Sequence, residues 1–139
     1  MTPVEVVHEM YRCFSTGDME TLRKEIFAEN LVWHLPGRSP IAGDKLGMQE
    51  VLGFFGSLRK LGLTVAPEGM TPLGDEKVAE FYHASGSANG VELKAYNCNL
   101  YTVRNTRIVE VQVFMSDQYG YDGFAWAAFA LKPLPDRLA

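Results

Sequence analysis

Asp117 is the residue of this sequence best placed for proton chemistry. It ends a row formed by Val109, Val111, Val113 and Met115, which share one face of an extended segment, while Glu110, Gln112 and Ser116 share the other with Ile108 and Phe114. A carboxyl group among such neighbours is costly to ionise, so its proton affinity rises toward the range useful for acid/base catalysis. The position also suits a second task. An acid just ahead of the amphipathic segment Tyr121, Phe124, Ala125, Ala128 and Phe129 can cap a helix by accepting hydrogen bonds from its free backbone N–H groups.

His34 is the candidate second proton carrier, because imidazole titrates near neutral pH. Alternation along residues 31–35 points only one of Trp33 and His34 inward, and a histidine on the outer face would serve only to satisfy local hydrogen bonds. His8 and His83 have weaker claims. Neither they nor Cys13 and Cys98 show a zinc-like spacing, and no His-x-x-x-His pair occurs, so no metal is expected. Phosphate-binding glycine loops and a Gly-x-Ser-x-Gly elbow are also absent. Ser85-Gly86-Ser87 lies between strands without a partnered histidine, and no nucleotide or flavin cofactor is implied.

The elements that must position these groups follow from periodicity. Thr2 caps a first helix with Pro3 at its first position, Val4, Val7, Tyr11 and Phe14 lie on one face, and Gly17 ends it. Asp18 caps a second helix, with Met19, Leu22 and Ile26 as its stripe. An extended piece, 31–35, stops at Pro36-Gly37. A third helix turns Met48, Val51, Leu52, Phe55 and Leu58 inward and stops at Gly62. Beyond it, segments 63–73, 77–87, 91–103 and 107–117 are rich in β-branched and aromatic residues and read as consecutive antiparallel strands. A final amphipathic segment stops at Pro133 and Pro135. Helices followed by an antiparallel meander make an α+β domain, with the helices on one concave face and a pocket where helix 1, the strand of Trp33 and the last strand converge.

The hairpin before the last strand decides which polar residues reach that pocket. A two-residue turn at Asn105-Thr106 puts Tyr96, Cys98 and Leu100 on the face of Asp117; a three-residue connection, Arg104-Asn105-Thr106, puts Asn97, Asn99 and Tyr101 there. Thr106 is an awkward residue at the positive φ such a loop wants, so local chemistry leaves both registers open.

The 139 residues suffice for one domain, 1–139. Hydrophobic residues at 47% and charged residues at 22% allow a packed core and exclude a disordered tail. A net charge of −4 with no basic stripe argues against nucleic acid, and no apolar run approaches the roughly 20 residues of a membrane span. The N-terminal residues lack the pattern of a signal peptide, and the two cysteines are read as free thiols of a cytoplasmic protein rather than as a Cys13–Cys98 disulfide.

The segment Trp33-His34-Leu35-Pro36-Gly37-Arg38-Ser39-Pro40-Ile41-Ala42-Gly43, Gly47 opening an amphipathic helix, and Phe114-Met115-Ser116-Asp117-Gln118-Tyr119 leading into Phe124-Ala125-Trp126 resemble the SnoaL-like polyketide cyclases and ketosteroid isomerase-related proteins of the nuclear transport factor 2-like superfamily. The resemblance implies a cystatin-like, cone-shaped barrel with N-terminal helices packed on a strongly curved antiparallel sheet. It implies Asp117 as the acid/base of a polyketide cyclase. The isomerase's helix-1 tyrosine falls on Met10, one step from Tyr11, its general base on Leu35 and its second oxyanion donor on Asn99, which argues against steroid isomerisation. The resemblance favours the three-residue hairpin, so Asn97, Asn99 and Tyr101 are taken as inward.

The resulting expectation is a cofactor-independent lyase or isomerase that moves a proton next to a carbonyl in a small, mainly apolar molecule. Asp117, His34 and Asn99 are its catalytic candidates, and Trp33, Tyr11, Phe55, Asn97, Tyr101, Met115 and Trp126 its ligand wall. The alternative is a module that binds a hydrophobic metabolite without turnover. A homodimer through the convex sheet face, where Phe114 leaves apolar area beyond the helices' reach, is expected in either case.

Overall fold

The computed structural model describes residues 1–129. Helix α1 spans Pro3–Thr16 and starts with a full capping box: Thr2 accepts from the Glu5 N–H while the Glu5 carboxylate accepts from the Thr2 N–H. Gly17, at φ 74°, ends it in the left-handed conformation that glycine adopts without steric cost. The expected second helix is one α-turn, α2 (Met19–Thr21), capped by Asp18, which widens into a π-helical turn over Leu22–Ile26. Strands β1 (Phe27–Leu35) and β2 (Gly43–Leu46) follow, then α3 (Gly47–Leu61), β3 (Thr64–Leu73), β4 (Lys77–Ala88), β5 (Val91–Arg104), β6 (Arg107–Met115) and α4 (Gln118–Ala128). The expected stops at Pro133 and Pro135 lie outside the described residues.

Six strands form one sheet in the order β2-β1-β6-β5-β4-β3. The last four make the expected antiparallel meander. β1, however, joins β6 in parallel, and the short β2, which has no clear alternation, pairs antiparallel on its far side. β2 and β3 remain edges, so the sheet is not closed into the barrel that the resemblance implied. The helices cover one face. Val6, Val7, Met10 and Cys13 of α1, Val51 and Phe54 of α3 and Phe124 of α4 enter a common core with Phe27, Leu31, Val78, Tyr101, Ile108 and Val111. The α1 stripe is therefore rotated from the expected one, leaving Tyr11 and Phe14 only partly buried at its edge. Cys13 and Cys98 are free thiols, Cys13 buried in the core and Cys98 on β5.

Both open registers at the β5–β6 hairpin contain part of the answer. The turn has two residues, Asn105 at φ 51° and Thr106 at φ 60°, flanked by the pair Arg104 and Arg107. One step further the pairing shifts: Val103 faces Ile108 but Thr102 faces Glu110, leaving Val109 as an extra residue. That bulge restores the inward row expected from the longer loop, with Asn97 opposite Met115, Asn99 opposite Val113 and Tyr101 opposite Val111.

Candidate functional site

A cavity of about 150 Å³ lies between the sheet and helices α1, α3 and α4. Its wall is mostly apolar. Met10 and Phe14 come from α1, Trp33 and Leu35 from β1, Phe54, Phe55 and Leu58 from α3, and Val113 and Met115 from β6. Trp33 and Phe55 meet edge to face with ring centroids 4.9 Å apart, and Trp33 meets Tyr101 likewise at 6.2 Å, so the flat surfaces are fixed by mutual packing. Val65, partly exposed on edge strand β3, belongs to the rim.

The polar part of the wall comes from Tyr11, Tyr82, Asn97, Asn99, Tyr101 and Tyr121. Four side chains form a directed chain that ends outside the wall. The Tyr82 hydroxyl donates to Asn99 Oδ1 (3.1 Å), Asn99 Nδ2 donates to the Tyr101 hydroxyl (3.3 Å), and that hydroxyl donates to Glu80 Oε1 (2.7 Å). Glu80 is fully buried. Burial pushes its carboxyl above the usual carboxylate range, against the opposing pull of the neighbouring Tyr11, Tyr101 and Asn99 side chains and of the more distant His8. Burial also pushes the Tyr82 phenol up to about 12 and raises Tyr11 and Tyr101, to which the Glu80 charge adds. These phenols stay protonated and can serve as hydrogen-bond donors at any physiological pH. Two buried atoms of the cavity wall have no partner among the described residues, the donor Trp33 Nε1 and the acceptor Asn97 Oδ1. Each such atom is costly to leave unpaired.

Of the expected site residues, Tyr11, Trp33, Phe55, Asn97, Asn99, Tyr101 and Met115 come together here. Asp117, His34 and Trp126 do not. β6 ends at Met115, and Asp117, instead of continuing the inward row, takes φ −136° and ψ 78° as N-cap of α4, where its carboxylate accepts from the Gly120 N–H at 2.8 Å and is exposed. His34 points to the outer face of the sheet because Trp33 takes the inward place. Its Nδ1 lies 2.7 Å from Asp44 Oδ1 and its Nε2 2.9 Å from Glu110 Oε2, and the bond to Glu110, with Asp44 adding, raises its pKa against the effect of burial. Trp126 is 46% exposed and donates from Nε1 to the Arg38 carbonyl (2.8 Å), since α4 turns Tyr121, Phe124 and Ala125 inward instead. The Pro36-Gly37-Arg38 turn is held on α4 by three such bonds: Trp126 to the Arg38 carbonyl, Gln118 Nε2 to the Pro36 carbonyl (3.3 Å), and the Arg38 N–H to Asp122 Oδ2 (3.0 Å). These conspicuous residues serve to dock α4 over the cavity.

The family model of the SnoaL-like domain matches residues 7–111, which contain most of the cavity wall. The chain belongs to the SnoaL-like domain family. Among solved structures, this SnoaL-like domain is similar to Bal32a from a soil-derived mobile gene cassette, with 29% identity over 88% of this chain and 95% of that one and a TM-score of 0.80. It is equally similar to a cystatin-like-fold protein from Xanthomonas campestris, with 29% identity, 90% and 98% coverage and a TM-score of 0.79. IdmH from Streptomyces antibioticus, a candidate polyketide cyclase, shares the fold at 23% identity, 84% and 94% coverage and a TM-score of 0.65. Among curated proteins none matches the sequence.

Sequence reasoning missed three polar residues, Tyr82 and Tyr121 in the wall and, behind it, the carboxyl group of Glu80. The signal for Glu80 was present, because Val78, Glu80, Tyr82 and Ala84 alternate along β4 and share the core face, so an acid stands in an otherwise buried row.

Proposed function

We propose that this SnoaL-like domain is a cofactor-independent enzyme of the polyketide-cyclase or isomerase type, acting on a small, mainly apolar carbonyl compound held in the cavity. The observation that carries this reading is the segregation of the wall: apolar rings on most sides and one cluster of uncharged hydrogen-bond donors, the phenols and amides around Asn99 and Tyr101. Such donors stabilise the negative charge that develops on a carbonyl oxygen as the adjacent carbon loses its proton to a water at the open rim beside Val65, because no carboxylate or imidazole lines the cavity among the described residues. A cavity of about 150 Å³ is of the size that accommodates a benzene ring. One ring therefore fills the enclosed part, and a longer substrate extends past Val65. The unpartnered Trp33 Nε1 and Asn97 Oδ1 suit a compound that carries a hydroxyl beside its carbonyl.

Deuterium exchange at the carbon next to the carbonyl of 1-indanone, followed by NMR in D₂O, tests the reading without knowledge of the natural substrate. Exchange above the buffer rate is expected, with a loss of about 10²- to 10³-fold in Asn99→Leu, the usual contribution of one oxyanion donor. The exposed, capping position of Asp117 and the outward position of His34 favour a second reading, a binding module. Tight binding of 1-indanone with no exchange above buffer would select it.

In either case we infer a homodimer through the outer sheet face. Phe81, Cys98 and Phe114 lie side by side across β4, β5 and β6, and Phe81 and Phe114 are each about half exposed, with Tyr96 packed against Phe81 and His83. A self-complementary apolar row of this kind suits a two-fold interface.

A further inference from the structure

Glu80 has no role in the reaction outlined so far, yet its surroundings are unusual. It is a fully buried carboxyl group that makes no ion pair among the described residues. Around it stand Tyr11 and the exposed His8 on α1, Tyr82 on its own strand, and Asn99 and Tyr101 on β5, with Cys98 across the backbone on the outer face; no lysine or arginine is among them. Oε1 meets the Tyr101 hydroxyl at 2.7 Å, while Oε2 has no hydrogen-bond partner. An ionised carboxylate would leave Oε2 as a buried, unpaired anionic acceptor, whereas a neutral carboxyl leaves there only a carbonyl oxygen. A neutral carboxyl can place its own proton on the short contact and donate to the Tyr101 oxygen, reversing the direction in which the Tyr101 hydroxyl donates to a carboxylate.

That choice controls Tyr101. Its oxygen already accepts from Asn99 Nδ2, and its single proton is either committed to a Glu80 carboxylate or, when Glu80 donates, left free for another acceptor. Tyr101 lines the cavity. We propose that Glu80 is a positioning residue whose protonation decides whether the Tyr101 hydroxyl donates to the carbonyl oxygen of a cavity ligand. This inference rests on the cavity being a carbonyl site. It makes the site selective for compounds that present a bare oxygen acceptor, a ketone or its enolate, at the Tyr101 end. The raised proton affinity that burial gives Glu80 keeps the donating state in force above the pH at which an exposed glutamate ionises.

The test uses the intact protein and 1-indanone, which does not titrate. Calorimetric affinity is measured from pH 5 to pH 9, together with the infrared carbonyl stretch of the bound ketone. In the wild type the affinity is expected to fall roughly three- to tenfold as pH rises, the weight of one hydrogen bond, and the stretch to move from a bonded, lowered frequency toward the free value. Glu80→Gln, whose amide donates at every pH, should hold the low-pH affinity and frequency throughout. Tyr101→Phe should show the weak affinity and free frequency throughout. The infrared series on the wild type alone decides the matter should either variant fail to fold. A pH-independent affinity and stretch in the wild type overturns the role of Glu80 while leaving the carbonyl site intact. The absence of any binding at any pH overturns the carbonyl site and this inference with it.

Discussion

Tyr101→Phe probes the buried chain through stability alone, without a ligand. The substitution removes one oxygen and two hydrogen bonds, one from Asn99 at 3.3 Å and one to Glu80 at 2.7 Å, and leaves the ring packed against Trp33. With Glu80 neutral, two bonds between uncharged groups are lost, about 1–3 kcal/mol together. With Glu80 ionised, one of them is a bond to a charge, and the loss grows to about 2–4.5 kcal/mol. The sign of the pH effect follows from burial. Glu80 has a higher pKa folded than unfolded, so over the interval between the two values the folded state binds a proton that the unfolded state has released, and stability falls as pH rises through it. Removing the donor that steadies the carboxylate raises the folded pKa further and extends the fall to higher pH. Denaturant unfolding of wild type and variant at pH 5 and pH 8 should therefore show a penalty larger by about 1–1.5 kcal/mol at pH 8. In thermal unfolding the variant should melt roughly 4 °C lower for each kcal/mol lost. An equal penalty at both pH values would refute the reasoning, because it would mean that Glu80 has the same protonation state in both conditions. Adding Glu80→Gln should erase the pH dependence and leave only the uncharged part of the penalty.

Asp117→Asn should change neither stability, beyond about 0.5 kcal/mol, nor 1-indanone binding, since asparagine caps as well as aspartate, whereas Asp117→Ala should cost about 1 kcal/mol in denaturant unfolding with binding intact. Gly86→Ala puts a methyl group 2.7 Å from the Phe124 ring, and overpacking of this kind should destabilise the protein by about 1–3 kcal/mol, read from the midpoint of denaturation. NMR titration of His34 should give a pKa above about 6.5, and its contribution to stability should be complete below that value and lost as pH rises through the folded pKa; Glu110→Gln should lower the folded pKa. Phe114→Asp should shift sedimentation at micromolar concentration from two chains to one; a single-chain wild type would refute the proposed interface.

The fold was legible where local chemistry and tertiary demand agree. The Thr2-Pro3 start, the Gly17 and Gly62 stops and the meander from β3 to β6 needed nothing beyond capping and alternation. The parallel contact of β1 with β6 was not legible, because it joins segments far apart in sequence and leaves no local mark. In the site, the inward row of β5 emerged once its register was chosen, and Trp33, Phe55 and Met115 stand where a wall was expected. Asp117 and His34 were misplaced for one shared reason: alternation predicts a side only while a strand continues in register. At β6 it ends at Met115, two residues before the N-cap of α4, and at β1 it allows Trp33 or His34 inside but not both. Glu80 was overlooked because attention to acids at the ends of apolar rows passes over an acid in the middle of one.

The extra residue Val109 has a consequence for how the family can vary. If Val109 instead paired with Thr102 and the bulge were ironed out while the Asn105-Thr106 turn stayed in place, the partners of Val111, Val113 and Met115 would become Leu100, Cys98 and Tyr96. A wall of two amides and a phenol would become one of an alkyl chain, a thiol and a different phenol, with no change at any of those positions. Residues that line the cavity can thus be exchanged as a set by the presence or absence of a bulge that lies outside it. Two chains of this architecture with the same residues along β5 can therefore carry different chemistry, and an alignment that ignores the bulge would assign them the same one.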